Sequence, residues 1–129
     1  MSIVGRWTWG KKARLCAEAL RVAGAEGAVA VVERPALARL LGETRQVVAV
    51  PASDRAAFVP AADVGAIVGE PHDDDELARW AGAVRAGGAV LQVGRGPREE
   101  ASRRALCAGL VDIEQRVAGR WVVTSGRRR

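Results

Sequence analysis

Histidine and cysteine are scarce in this chain: one histidine, His72, and two cysteines, Cys16 and Cys107, far apart in sequence. With no Cys/His cluster at metal-ligand spacing, a zinc site is excluded, because a single imidazole cannot supply the three or four ligands such a site needs. Both cysteines fall on the apolar side of expected helices, where a thiol behaves as a small hydrophobe, so both are read as buried free thiols. No apolar run approaches the roughly 18 residues of a membrane span, and the chain does not start with a basic, apolar, small-residue signal. A soluble, cytoplasmic protein is therefore expected, with no membrane partner. Internal repeats and low-complexity blocks are also lacking.

Acidic residues are in the minority, 15 against 20 lysines and arginines, for a net charge of +5. Such an excess raises the question of nucleic acid, which its location answers. Arg6, Lys11, Lys12, Arg127, Arg128 and Arg129 lie at the two ends, and without these six the chain would be at −1. The excess is terminal rather than spread over one face, which argues against a nucleic-acid surface. Residues 127–129 read as a solvated basic tail on a single domain of residues 1–126. A chain of 129 residues is one domain of ordinary size, able to bury roughly two-thirds of its unfolded surface around one core.

Strand and helix patterns alternate along this domain. The start reads as a short strand, a glycine turn from Gly5 to Gly10, and an amphipathic helix from Lys11 to Ala23 ending at Gly24. Ala28 to Val32 is apolar without alternation, the mark of a strand covered on both faces, and stops at Glu33. Pro35 suits the first turn of a helix to Leu41, and Val47 to Val50 is a third strand before Pro51. Ala52-Ser53-Asp54 then opens a poorly patterned loop.

Asp63 to Val68 is a fourth strand, left through Gly69-Glu70-Pro71-His72. Asp73 to Glu76 open a helix closed by Gly87-Gly88. These acids resemble a metal cluster, but Asp73 and Glu76 have capping-box spacing, and carboxylates are favoured at a helix start. Ala89 to Val93 is a fifth strand, a helix runs from Pro97 to Gly109, and Val111 to Val117 and Arg120 to Ser125 form a hairpin around Ala118-Gly119. The fold class is α/β: a Rossmann-like, mainly parallel sheet with helices on both faces and a C-terminal antiparallel hairpin.

In open sheets of this kind, ligands bind outside the carboxyl ends of the strands, where strand order reverses. Gly5 and Gly10 have the separation of the outer glycines in G-x-G-x-x-G, with Trp7 in the middle position, where a ligand needs close backbone approach. Glu33 lies 23 residues beyond Gly10, near the roughly 20 expected of a ribose-binding acid. Without the middle glycine, an NAD-type fingerprint is a weak match.

The second half, ADVGAIVGEPHDDDELARWAGAVRAGGAVLQVGRG, resembles the fourth strand, connecting helix, GG turn and fifth strand of class I S-adenosylmethionine-dependent methyltransferases. ALCAGLVDIEQRVAGRWVVTSGR is similar to that family's final helix and closing hairpin. The resemblance implies that S-adenosylmethionine is the cofactor and that Glu33 takes its ribose hydroxyls. It also implies an adenine contact for Asp54 and places Gly5, Trp7, Gly10 and Gly69 along the cofactor's seat. Asp63 matches the acid that begins the fourth strand. A tryptophan at position 7 would occupy the volume of the cofactor's methionine part, and no methyl acceptor can be read from Gly69-Glu70-Pro71-His72.

The favoured reading is thus a methyltransferase-like domain that has lost catalysis and serves as a binding or assembly module. Arg6, Trp7, Trp9, Lys11 and Lys12 are its expected interface to a protein partner or a second copy, because aromatic and arginine side chains anchor interfaces. A small active methyltransferase is the alternative, since methyl transfer needs mainly in-line positioning of donor and acceptor.

Overall fold

The computed structural model describes residues 3–58 and 64–129, and for residues 3–9 the backbone alone. Six strands form one sheet: β1 (Ala28–Val32), β2 (Val47–Val50), β3 (Val64–Gly69), β4 (Ala89–Gly94), β5 (Val111–Ala118) and β6 (Trp121–Arg127). Their order is β2-β1-β3-β4-β6-β5. The first four are mutually parallel, whereas β6 runs antiparallel to both β4 and β5. Four helices complete the fold: α1 (Ile3–Val22), α2 (Pro35–Leu41), α3 (Asp74–Ala83) and α4 (Arg98–Cys107).

Alternation along the strands builds two cores, because successive side chains point to opposite faces. Val29 and Val31 of β1 join Cys16, Ala19 and Leu20 of α1 and Leu37 and Leu41 of α2. Ala30 and Val32 point the other way, to Leu77 and Trp80 of α3 and Ala105 of α4. Inner strands covered on both faces have no polar positions to show, which is why β1 and β3 are buried along their whole length.

The start of the chain departs from the sequence reading. Ile3 to Val22 form one helix, so the expected strand before Gly5 and the glycine turn from Gly5 to Gly10 do not form. The apolar residues from Leu15 to Leu20 recur at helical spacing, and the preceding residues continue the same helix. Two internal glycines cost roughly 1 kcal/mol each relative to alanine and do not outweigh continuation of that helix. The C-terminal end is as expected: Gly24 adopts φ 67°, and Ala25 N–H donates to the Leu20 carbonyl.

Arg127 and Arg128 are not a free tail either. Arg127 ends β6 opposite Ala89, Arg128 exchanges backbone hydrogen bonds with Gly87 and Gly88, and its guanidinium donates to the Gly82 and Val84 carbonyls. The hairpin turn is one residue later than expected, with Ala118 paired to Trp121 and Gly119 at φ 59°. Cys16 is buried, and burial pushes its thiol up to about 12; Cys107 is exposed, contrary to expectation. α4 meets the sheet through small Ala105, which leaves its last turn, with Leu106 and Cys107, facing outward.

Candidate functional site

The strand order fixes where a ligand would sit. From β1 the chain crosses to β2 on one side and then returns past β1 to β3 on the other, so order reverses between β1 and β3. Their carboxyl ends carry Glu33-Arg34-Pro35 and Glu70-Pro71-His72. This is the crevice that open α/β sheets use for ligands. It opens into adjoining clefts of about 460 and 470 Å³, lined among others by Glu33, Arg55, His72 and Glu76.

Glu33 follows the innermost end of β1 at φ 54°, a left-handed backbone that normally selects glycine. Here, rather than at residues 5–10, the first strand of the sheet ends, and its turn is E-R-P without any glycine. The Glu33 N–H is tied to the Val50 carbonyl, and its carboxylate accepts from Arg55 Nη1 at 2.8 Å.

Arg55 is the centre of the crevice. It stands one residue beyond a short 3-10 turn, Ala52–Asp54, that follows β2, and its side chain is buried. Nε donates to Glu76 Oε2 at 2.9 Å, Nη2 to Glu76 Oε1 and to the Glu70 carbonyl, and Nη1 to Glu33. Hydrogen bonding from Arg55, the largest effect, holds the Glu76 carboxyl down at about 2, and the same pair raises Arg55 above its ordinary value. The guanidinium also lies 5.5 Å from the Trp80 ring centroid.

Only half of the expected capping box forms. Asp73 accepts from Glu76 N–H at 2.8 Å, but Glu76 turns away to Arg55 and to the His72 N–H at 2.8 Å. Among the described residues, no group of three or more His, Cys, Asp or Glu is placed to hold a metal ion.

Of the residues expected along a cofactor seat, Glu33 and Gly69 reach this end of the sheet. Gly69 ends β3, and a Cβ there would come within 3.0 Å of Trp80 and Val32, so close packing accounts for it. Asp54 is exposed on the 3-10 turn and lies outside the lining of the clefts around Glu33. Gly5 and Gly10 are helical, and the side chains of Arg6, Trp7 and Trp9 lie outside the described residues, as does Asp63. Lys11 is exposed. Lys12, expected at an exposed interface, is buried instead, with Nζ 3.2 Å from the Trp121 ring centroid.

Sequence reasoning missed Arg55 and the role of Glu76. A lone arginine in the apolar stretch around Ala56, Ala57 and Phe58 was the available signal, because a cation there has to find a carboxylate.

No family model and no curated protein matches the sequence. Solved structures do match the fold. An O-methyltransferase family protein from Burkholderia thailandensis superposes with a TM-score of 0.54 at 15% identity, covering 94% of this chain and 58% of that one. PigF with SAH gives 0.54 at 14% identity over 80% and 56%. A methyltransferase-family candidate from Thermoplasma acidophilum gives 0.51 at 15% over 91% and 64%. The chain spans about half the length of the first of these structures it matches. At this identity the likeness establishes the fold, and the fold is that of class I methyltransferases.

Proposed function

We propose that this methyltransferase-like domain does not transfer methyl groups and works as a binding or assembly module. One observation carries the reading: the Arg55 guanidinium, held by Glu33, Glu76 and the Glu70 carbonyl, stands in the crevice between β1 and β3. The Glu33 Oε2 is already engaged by a buried arginine, so a ribose hydroxyl would compete for that oxygen with a cationic donor, whose bond to a carboxylate carries charge on both partners. The turn after β1 supports the same reading. Glu33-Arg34-Pro35 puts two long side chains and a ring where a cofactor needs close backbone approach.

The binding role draws on the start of α1, where Arg6, Trp7, Trp9 and Lys11 offer aromatic and cationic anchors for a protein partner or a second copy. Lys12 leaves that set, since it is packed on Trp121.

A small active S-adenosylmethionine-dependent methyltransferase is the second reading. PigF with SAH and human N-acetylserotonin methyltransferase in complex with SAM share the fold, and clefts of about 460 and 470 Å³ beside Glu33 are of ligand size. Calorimetric titration decides between the two. The favoured reading expects no heat from S-adenosylmethionine up to ~1 mM, a limit of about −4 kcal/mol in binding free energy. Micromolar binding that Glu33→Ala abolishes would instead establish the alternative.

A further inference from the structure

The sheet has two edges, and they are built differently. β5 closes one side with Asp112, Glu114 and Arg116 along its length, and its pairing with β6 shifts register between Val111 and Glu114, where Asp112 takes φ 53°. Charges and a bulge are devices that keep an edge strand from pairing further. β2, at the other end of the strand order, has neither. Its Val47-Val48-Ala49-Val50 is uncharged, rich in β-branched residues and paired with β1 without a register shift. Among the described residues no strand lies beyond it.

The register tells which backbone groups this edge offers. Val29 N–H donates to the Gln46 carbonyl and Glu33 N–H to the Val50 carbonyl, and in a parallel ladder alternate residues face the same neighbour. Gln46, Val48 and Val50 thus turn their backbone to β1, while Val47 and Ala49 turn N–H and C=O outward. The surroundings are apolar. Val48 is 44% exposed, Ala49, Pro51 and Ala52 are exposed, and a cleft of about 670 Å³ lined by Val31, Pro35, Ala49 and Pro51 opens at the carboxyl end of this strand.

We propose that β2 pairs antiparallel with β2 of a second copy, about a twofold axis through Val48. This register makes the edge complementary to itself. Val47 of one copy faces Ala49 of the other, so each outward N–H meets an outward C=O, and the two Val48 side chains lie against each other in the close, non-hydrogen-bonded position. Charge favours the antiparallel sense. The charged residue nearest the start of β2 is Arg45 and the one nearest its end is Asp54, so antiparallel pairing sets opposite signs beside each other, whereas a parallel arrangement would set like beside like. A twofold contact of this kind is closed, and the guarded edge at β5 offers no further strand pairing, so growth stops at the dimer. The inference rests on the assembly reading and names a partner for it, on a surface apart from the start of α1 and from the Arg55 crevice.

Sedimentation equilibrium of the full chain tests it. One short strand pair sits at the weak end of interface sizes, so the mean mass should climb from one chain towards two between about 10 µM and ~1 mM. Ala49→Pro removes an outward N–H that β1 does not use and should raise the midpoint about tenfold or more. Val48→Lys and Val48→Glu change an exposed side chain and keep the fold even if the proline does not, which circular dichroism verifies. Each should stay monomeric over the whole range, and a one-to-one mixture of the two should pair again, because position 48 faces itself. Pairing that survives both Val48 variants, or a mixture that stays monomeric, overturns the inference. A wild-type chain still monomeric at the top of the range overturns it as well and leaves the edge to a strand of another protein. Trp7→Ser/Trp9→Ser should leave this equilibrium unchanged; its loss there would move the contact to the start of α1 and away from β2, so the two surfaces fail separately.

Discussion

At the scale of single residues, Arg55 holds the crevice together. Its side chain and that of Glu76 are both buried, at 7% and 8% exposure, so each neutralises a charge that water does not reach. Truncating one partner of such a pair leaves the other desolvated and unpaired, which costs about 3–5 kcal/mol. Arg55→Met should therefore lower stability by that amount in urea unfolding, and Arg55→Met/Glu76→Leu should recover most of it by putting apolar volume in place of the pair. A single variant that costs under about 1 kcal/mol would show the pair to be open to water.

The same pair sets an acid limb. The Glu76 carboxyl sits at about 2 in the folded chain, below its ordinary 4.5, so its stabilisation is complete above about pH 4.5 and is lost as pH falls through 2. Melting temperature should drop across that window, and Glu76→Gln should flatten the drop while lowering stability at pH 7. The sequence hints that Arg55 needs a carboxylate but not which one, since Asp73 and Glu76 form a local capping pattern and Glu76 lies 21 residues from Arg55. Local spacing reveals the cap; only the tertiary fold brings the arginine to it.

At the scale of elements, patterns that were locally dense translated well. β1, β3 and β4 were legible as apolar runs, and the helix stop at Gly24 is a left-handed glycine in fact, whereas α3 ends at Ala83 with Val84 already extended, before the expected stop at Gly87-Gly88. The first ten residues failed because five-residue glycine spacing says nothing about backbone conformation unless a strand precedes it, and here Ile3 to Val22 are helical. The same limit applies to Gly65 in β3, which no motif singled out. A Cβ there would run into the Glu26 carbonyl oxygen, and a Cβ on Gly88 would come 2.7 Å from the Gly65 oxygen, so the loop before β1, the start of β3 and the GG turn are in backbone contact. Since backbone cannot rotate away as a side chain can, Gly65→Ala should cost about 3 kcal/mol or more in denaturant unfolding. A change of under about 0.5 kcal/mol, as at an ordinary surface position, would mean that the loop carrying Glu26 moves freely.

At the scale of the whole molecule, the sheet order was not read from the sequence, yet it decides where function can lie. Returning past β1 to place β3 on its far side puts Glu33, Arg55 and Glu70 in one crevice, while α1 and β6 bring Lys12 and Trp121 to the same edge. The proposed assembly role would draw on other surface, and the start of α1 is the stretch richest in anchors by sequence. Its first half carries Trp7 and Trp9 in sequence, and among the described residues Cys16, Ala19 and Leu20 of its second half join the core. Replacing both tryptophans, as Trp7→Ser/Trp9→Ser, should therefore convert a self-associated or partner-bound species to monomer in light scattering and cross-linking, with unfolding free energy changed by under about 1 kcal/mol. A loss of several kcal/mol would instead make the tryptophans part of the core, because only a buried aromatic loses that much on truncation. A wild-type chain that is already monomeric and captures no partner would remove the assembly role, and the crevice at Arg55 would be left as the surface through which this domain acts.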